Sequence, residues 1–435
     1  MQTIKNWKSQ LKEHELDSQI QKLLMLSNNE IISKDIYDRF YNILDHFMSS
    51  FFADENTEVA FFSSPGRAEL LGNHTDHQGG NVIAAAVNMD IWACANPNNQ
   101  NTICFQSEGW DRIEISLDLM EPQNEEKETT AALLRGVAAS FAQKGYKPRG
   151  LNIYCQSNVL PGSGLSSSAA IEVLIAVILN HFWADDIENS VTWAKMGQYA
   201  ENEFFGKPSG LMDQMASAVG SAVHINFYDP ENIKIEAFDL NLQKEKYALC
   251  IIDSGADHAN LTDEYASITT DMQAVANYFE QDILSQVPES DFFNNLAKVR
   301  KKVGDRAVLR VIHYYQENNR VLKAVEEFKS GDFSDFLKEI QNSGNSSWTQ
   351  LQNISVSGSI KHQEMAVALA LAGAFLEGEG AYRVQGGGFA GTIQAFVPLN
   401  KLDDFKIKIE KILGDNTCHI VQIRNIGGYV FQSKG

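Results

Sequence analysis

Residues 150–184 read GLNIYCQSNVLPGSGLSSSAAIEVLIAVILNHFWA. The first dozen residues have the texture of a strand. Residues 169–184 form a long apolar run of helical length. Between them, Gly162 and Gly164 let the backbone turn with its N–H groups facing one way. Serines follow, and Ala169 and Ala170 open the helix. A helix start carries unpaired N–H groups and a positive partial charge, which suit a phosphate. A serine hydroxyl there can also coordinate Mg2+. An ordinary N-cap explains a serine before an apolar helix equally well. The loop is not a P-loop, because no Gly-Lys-Ser/Thr follows the glycines.

Strand and helix signals continue on both sides of this unit. Upstream, VAFFSSPGRAELLG (59–72) reads as a short apolar run entering a glycine-punctuated loop. VIAAAVNMDIWACANP (82–97), TICFQS (102–107) and IEISLDL (113–119) read as strands. Residues 130–145 read as a helix stopped by Gly145. Downstream, YALCIIDSG (247–255) is a buried-strand pattern, and residues 263–342 are mostly helical until NSGNSSW (342–348) breaks the periodicity. HQEMAVALALAGAFLEG (362–378) is a helix, and AYRVQGGGFAGTIQAFVP (381–398) is strand, glycine loop, strand. FKIKIEKILG and HIVQIR close the chain as helix and strand. At the other end, Ile4, Trp7, Leu11, Ile20, Leu23, Ile36, Phe40, Ile43, Leu44 and Phe47 recur at helical spacing, so two or three amphipathic helices with a packing role precede the first strand.

A chain of 435 residues exceeds one typical core, so two domains are expected after the helical segment, with boundaries at 1–50, 51–240 and 241–435. Hydrophobic residues make up 44% and charged residues 21%, an ordinary globular balance. The net charge of −20 repels phosphodiester backbones and argues against nucleic acid as the main partner. It does not forbid a local anion site. Cys94, Cys104, Cys155, Cys250 and Cys418 have neither zinc nor redox spacing and read as free thiols in a reducing cytoplasm. The N-terminus lacks an apolar signal-peptide core, and the apolar windows are too short to span a bilayer. The expectation is a cytoplasmic protein with small-molecule partners and no membrane or nucleic acid, as a monomer or weak homo-oligomer.

Three further stretches are rich in chemistry. SSPGRAELLGNHTDHQGG (63–80) crowds arginine, glutamate, histidine and aspartate among glycines, as a polar ligand site would and a solvated turn seldom does. AENEFFGKPSGLMDQMASAVG (200–220) carries Glu201, Glu203 and Asp213. Breakers before Asp213 place it at a helix start, where it is either a cap or a base for proton abstraction. QGGGFAGT (385–392) permits close approach of a ligand or of another backbone, and a tight hairpin explains it as well.

In this order, GRAELLGNHTD, LPGSGLSSSAAIEV, GLMDQ and VQGGGFAGTI resemble the motifs of the GHMP kinase superfamily, and within it the galactokinases. The resemblance runs from about residue 60 to the C-terminus. It implies an α+β protein with the two-domain GHMP kinase fold: an N-terminal ribosomal-protein-S5-like α/β domain and a C-terminal ferredoxin-like α+β domain. It further implies that ATP and a sugar meet in a cleft, where phosphate passes from MgATP to the sugar's anomeric hydroxyl. By motif position, Asp213 and Arg67 match the catalytic pair. Ser168, or its neighbour Ser167, and Glu201 match Mg2+ ligands. Pro161, Gly162, Ser163, Gly164, Leu165, Ser166, Ser167, Ser168 and Ala169 match the ATP loop. Arg67, Asn73, His74, Asp76, Gly210, Asp213 and Tyr265 match sugar-contacting positions, and Gly386, Gly387 and Gly388 a glycine loop near the site. An arginine beside Asp213 would lower its pKa and keep it ionised.

The chain also departs from the usual galactokinase run GRxNLIGEHTDY. Glu69 stands for the asparagine, Asn73 for the glutamate and His77 for the tyrosine. The replaced glutamate faces the sugar's C6 hydroxyl in that family. A neutral amide would not repel a C6 carboxylate, so galacturonate is an alternative to galactose. Ser209 replaces a common cysteine, and Ala390 a glycine. A sugar- and ATP-binding regulator without turnover is the reading of another class; the intact SSSAA run and Asp213 favour an enzyme.

Overall fold

The computed structural model describes residues 1–26, 31–159, 164–207, 209–230, 232–256 and 261–433. Pro161, Gly162 and Ser163 of the expected ATP loop lie outside these described residues. The chain opens with strand β1 (Gln2–Thr3) and helices α1 (Ile4–Lys12), α2 (Asp17–Leu24) and α3 (Lys34–Phe51). Strands β2 (Glu58–Leu71), β3 (Asn81–Pro97), β4 (Thr102–Ser107) and β5 (Ile113–Ser116) follow, then α4 (Thr130–Gln143), β6 (Leu151–Ser157) and α5 (Ser167–Trp183). Helix α6 (Ser190–Tyr199) runs into a π-helical turn over Ala200–Phe205, and α7 (Met212–Val219) leads to β7 (Ala222–Asn226) and β8 (Lys234–Phe238). The second half holds β9 (Tyr247–Asp253), α8 (Thr262–Tyr278), α9 (Glu289–Val303), α10 (Asp305–Ser330), α11 (Phe333–Ser346) and α12 (Glu364–Leu376). It ends with β10 (Ala381–Val384), β11 (Thr392–Pro398), α13 (Leu402–Leu413), β12 (Cys418–Val421) and β13 (Tyr429–Val430).

Among the described residues the strands form two sheets. The first runs β1-β2-β3-β6-β4-β5, with β7 on β3, β8 on β7 and β13 on β2; the second runs β10-β11-β9-β12. All pairs are antiparallel except β4 with β6. One face of the first sheet is covered by the apolar α5, whose Val173, Ile175, Val177 and Leu179 are fully buried. The other face is covered by the N-terminal helices. Phe40, Ile43, Leu44 and Phe47 line one side of α3 and pack with Trp7 on Phe61 and Trp92 of the sheet. Each such side chain contributes about 1.5–3 kcal/mol by leaving water, so the extension is a full layer of this half. The second sheet packs against α12 and α13, and α8 to α10 form a separate helical core.

Three local features differ from the sequence reading. The stretch taken as a loop after Phe62 is strand through Leu71, bent by register shifts between Pro65 and Arg67 and between Glu69 and Leu71. At the first bend, Arg67 N–H bonds the Leu165 carbonyl at 2.9 Å, so the loop before α5 takes the place of a neighbouring strand. Helical structure also continues through NSGNSSW, with a π-helical turn over Ser347–Leu351. Gly344 belongs there because a Cβ would lie 2.7 Å from the Tyr382 carbonyl of β10. Finally, β13 returns to β2, so the end of the chain completes the first sheet rather than staying with the second.

Candidate active site

The bend in β2 aims Arg67 across to the first turn of α7. Its Nε donates to Asp213 Oδ1 and its Nη2 to Oδ2, both at 2.7 Å. Its Nη1 donates to the Gly164 carbonyl. Ser166, left-handed at φ 55° just before α5, turns its hydroxyl away from capping and donates to Asp213 Oδ2 at 2.7 Å. Asp213 is therefore no helix cap. Burial opposes its ionisation, but the Arg67 charge and the Arg67 and Ser166 hydrogen bonds outweigh it, and the carboxyl stays below the ordinary range. It is a charged acceptor held in one orientation.

On the α5 side of Asp213 lies Glu201, carried in the π-helical turn and 3% exposed. Ser168 Oγ is 3.5 Å from Glu201 Oε1, and Lys207 Nζ is 3.1 Å from the same oxygen. Glu201 Oε2 accepts from Ser209 Oγ at 2.7 Å and from Gln214 Nε2 at 2.8 Å. The departure from cysteine at 209 thus places a strong donor on this carboxylate. Gln214 also donates to the buried Glu172 at 2.9 Å, whose pKa is raised by burial and then by Glu201. An oxygen-only pair such as Ser168 and Glu201 suits Mg2+, which takes one or two protein ligands and completes its shell with phosphates and water. Neighbouring corners of a Mg2+ octahedron are roughly 3 Å apart, so this pair could hold the ion. Among the described residues, no cluster of three or more His, Cys, Asp or Glu offers an all-protein cage.

Three of the sugar-assigned side chains rest on glycines of the two later motifs. The Asp76 carboxylate rests against Gly210, where a Cβ would lie 1.6 Å from Asp76 Oδ2, so any side chain there would push that carboxylate aside. Burial, then the charge of Asp213, pushes the Asp76 carboxyl up to about 7. His74 Nε2 is 3.0 Å from the Gly387 carbonyl and must donate, since that oxygen only accepts. Tyr265 donates to the Gly388 carbonyl at 3.0 Å. The two glycine segments meet: Gln385 Nε2 donates to the Gly164 carbonyl at 3.1 Å, and a Cβ on Gly386 would lie 3.6 Å from that oxygen. Widely separated parts of the sequence thus close on Asp213 and Arg67.

Asn73 stands apart from the others. Its side chain is fully buried. Nδ2 donates to Glu69 Oε1 at 2.9 Å and to the Gly386 carbonyl at 2.8 Å. Oδ1 accepts from Asn353 at 2.8 Å and Ser347 at 3.2 Å. An amide has two donors and two acceptor lone pairs, so none is left for a ligand. The residue expected to face the sugar's C6 group is instead spent on tying β2 to the glycine loop. Glu69, next to it, is paired with the buried Arg383 at 3.0 Å. His313 is a satisfied core residue: its Nε2 holds the Asn73 carbonyl at 2.9 Å.

Ser166 was expected in the ATP loop, and its bond to Asp213 gives it a second task that spacing could not show. Lys207, Glu172, Gln214, Asn353 and Arg383 were not singled out from the sequence. Lys207 and Gln214 lie inside a motif quoted for other reasons, and Asn353 and Arg383 reach the site only through the fold.

A sequence profile for the GHMP kinases N terminal domain matches residues 132–221, and one for the galactokinase galactose-binding signature matches residues 45–97. A galactokinase from Lactobacillus helveticus is 30% identical over 373 residues, covering 83% of this chain and 92% of the relative. The chain belongs to the galactokinase family of GHMP kinases. A galactokinase from Clostridium tetani is 30% identical over 366 residues, covering 81% and 88%. Among solved structures, Lactococcus lactis galactokinase complexed with galactose superposes with a TM-score of 0.76 at 23% identity, covering 88% of this chain and 98% of that one. Methanococcus jannaschii mevalonate kinase superposes at 0.59 and 14% identity, covering 83% and 98%. The expected GHMP kinase fold is thereby borne out. This galactokinase-family chain is a sugar kinase, a phosphotransferase that uses ATP and an alcohol acceptor.

Proposed function

We propose that the chain phosphorylates the anomeric hydroxyl of galactose, giving galactose 1-phosphate and ADP, with Mg2+ held by Ser168 and Glu201. The observation that carries this reading is the two-pronged Arg67–Asp213 pair at the meeting point of the glycine segments. Phosphoryl transfer asks a protein mainly for alignment and charge stabilisation. Asp213, held by Arg67 and Ser166, orients the sugar hydroxyl and accepts its proton as the sugar oxygen bonds to the terminal phosphorus. The bond from that phosphorus to the bridging oxygen breaks, and ADP leaves. Arg67 steadies Asp213 and offsets charge between the reactants. Mg2+, when bound, neutralises phosphate charge. N–H groups at the start of α5 receive the phosphates.

Galactose is favoured by the galactose-binding signature over residues 45–97 and by the relatives named galactokinase. Galacturonate owed its case to Asn73 meeting C6, and that amide is spent on protein groups. A panel of hexoses and uronic acids, scored for sugar-dependent ADP release and 1-phosphate formation, tests the reading. Galactose should give the highest kcat/KM. A higher value for galacturonate would replace the substrate, and no sugar-dependent ADP would overturn the reading.

A further inference from the structure

We propose that Lys207 is a further catalytic residue, a mobile cation that stands on Glu201 while the metal is absent and moves to the terminal phosphate of the nucleotide once a divalent cation takes Glu201. The inference rests on the phosphoryl-transfer reading above and adds a role to it.

The first support is how the other cations are used. Arg67 commits Nε and Nη2 to Asp213 and Nη1 to the Gly164 carbonyl, and its side chain is 7% exposed. Arg383 is fully buried against Glu69 and two backbone carbonyls. Neither can turn to meet a triphosphate without giving up the scaffold. Lys207 is different. Its side chain is 58% exposed, and its ammonium has three donors, of which Glu201 Oε1 takes one at 3.1 Å. In a chain of net charge −20, with Glu201, Asp213 and Asp76 gathered here, an incoming polyanion needs a free cation.

The second support is placement. The backbone around Lys207 is wrapped on Glu201: the N–H groups of Gly206 and Lys207 both donate to the Glu201 carbonyl, at 3.0 and 3.1 Å. Beyond Pro208, which lies outside the described residues, Ser209 N–H donates to Asn202 Oδ1 at 2.8 Å. The base of the side chain is therefore fixed while its four-carbon stem is free to swing. Lys207 and Ser168 share one oxygen of Glu201, so the ammonium already lies beside the start of α5, where the phosphates are expected. It is also close enough to help hold Asp213 ionised. Against Glu201 it occupies the position of a cation, which a divalent ion would contest.

The test uses the full chain and Lys207→Met. Three quantities are measured: kcat with saturating sugar and MgATP, the Kd of Mg2+ with a non-hydrolysable ATP analogue, and the Kd of Mn2+ alone. The variant should lose roughly a hundredfold in kcat, as for removal of one charge-stabilising donor, and bind the Mg2+-analogue complex about tenfold more weakly. It should bind Mn2+ alone a few-fold more tightly, because the competing ammonium is gone. Opposite signs in the two affinities separate a moving cation from a structural lysine. The inference is overturned if kcat and analogue affinity stay within twofold of the parent, or if both affinities weaken together. Should the parent chain release no ADP with any sugar, the kinase reading fails instead, and the two affinities still decide the place of Lys207.

Discussion

Glu69 and Asn73 carry the carboxylate and the amide in the opposite order from the usual galactokinase run, and they are bonded to each other. Replacing the amide alone, by Asn73→Glu, sets oxygen against oxygen where Nδ2 now lies 2.9 Å from Glu69 and 2.8 Å from the Gly386 carbonyl. Two charges at that separation repel by about 6 kcal/mol at an effective dielectric constant of 20. Protonating the introduced carboxyl is cheaper. From an ordinary glutamate pKa it costs about 4 kcal/mol at pH 7 and about 2 kcal/mol at pH 5.5. The folded variant then holds a proton that the unfolded chain does not, so its stability falls as pH rises through this range. Glu69→Asn alone leaves Arg383 buried without its carboxylate, at a cost of about 3 kcal/mol. The double exchange restores one charge and one amide and should come within about 1 kcal/mol of the parent, a coupling of roughly 6 kcal/mol at pH 7. Thermal melting at pH 7 and 5.5 reads this, at about 2–4 °C per kcal/mol for a unit of some 200 residues. Single variants melting within 2 °C of the parent, or a double variant as unstable as both losses together, would refute the reasoning.

Other expectations are simpler to check. Asp213→Asn should lower kcat by about a thousandfold while sugar binding, followed by calorimetry, changes less than tenfold; near-normal kcat would remove Asp213 from the chemistry. Asp76, with its carboxyl raised to about 7 by burial and by Asp213, is a good acceptor for a sugar hydroxyl only when ionised. The kcat/KM for sugar should therefore fall about tenfold per pH unit below 7, and that limb should vanish in Asp76→Asn. Arg39→Met removes one of two guanidiniums on the fully buried Asp90, which keeps Arg424 at 2.7 Å. It should cost about 2–3 kcal/mol in denaturant titration with little change in sugar KM.

Much of this architecture was legible from pattern. The α5 unit, the strands around it and the helical spacing of Ile4 to Phe47 follow from periodicity, because burial on one face leaves its mark every two or three to four residues. The glycines at 164, 210 and 386–388 told where chains approach closely. What stayed hidden depends on contacts between distant segments. Asn73 looked like a ligand because it lies in a motif whose positions resemble sugar-contacting ones. Only the positions of Asn353, Ser347 and the Gly386 carbonyl show its amide to be taken. The β2 bend read as a loop because Pro65 and Gly66 are turn formers, yet the strand continues where the Leu165 carbonyl supplies the missing hydrogen bond. NSGNSSW looked like a helix stop because propensity favours one, and packing of Gly344 against β10 overrides it.

The return of β13 to β2 has a consequence for how the polypeptide matures. Phe431 seats among Phe40, Phe61 and Trp92, and Gln19 of the second helix bonds the Tyr429 hydroxyl and the Gln432 amide. Arg424 supplies the second positive partner of Asp90. Residues 424–432 follow the helices and strands they complete by more than 300 positions, so the ribosome makes them long after their partners. The first sheet therefore waits, with an under-neutralised carboxylate and an open apolar seam, until residues 424–432 emerge, and a nascent chain stalled short of residue 424 would expose that seam to whatever binds sticky surfaces in the cell.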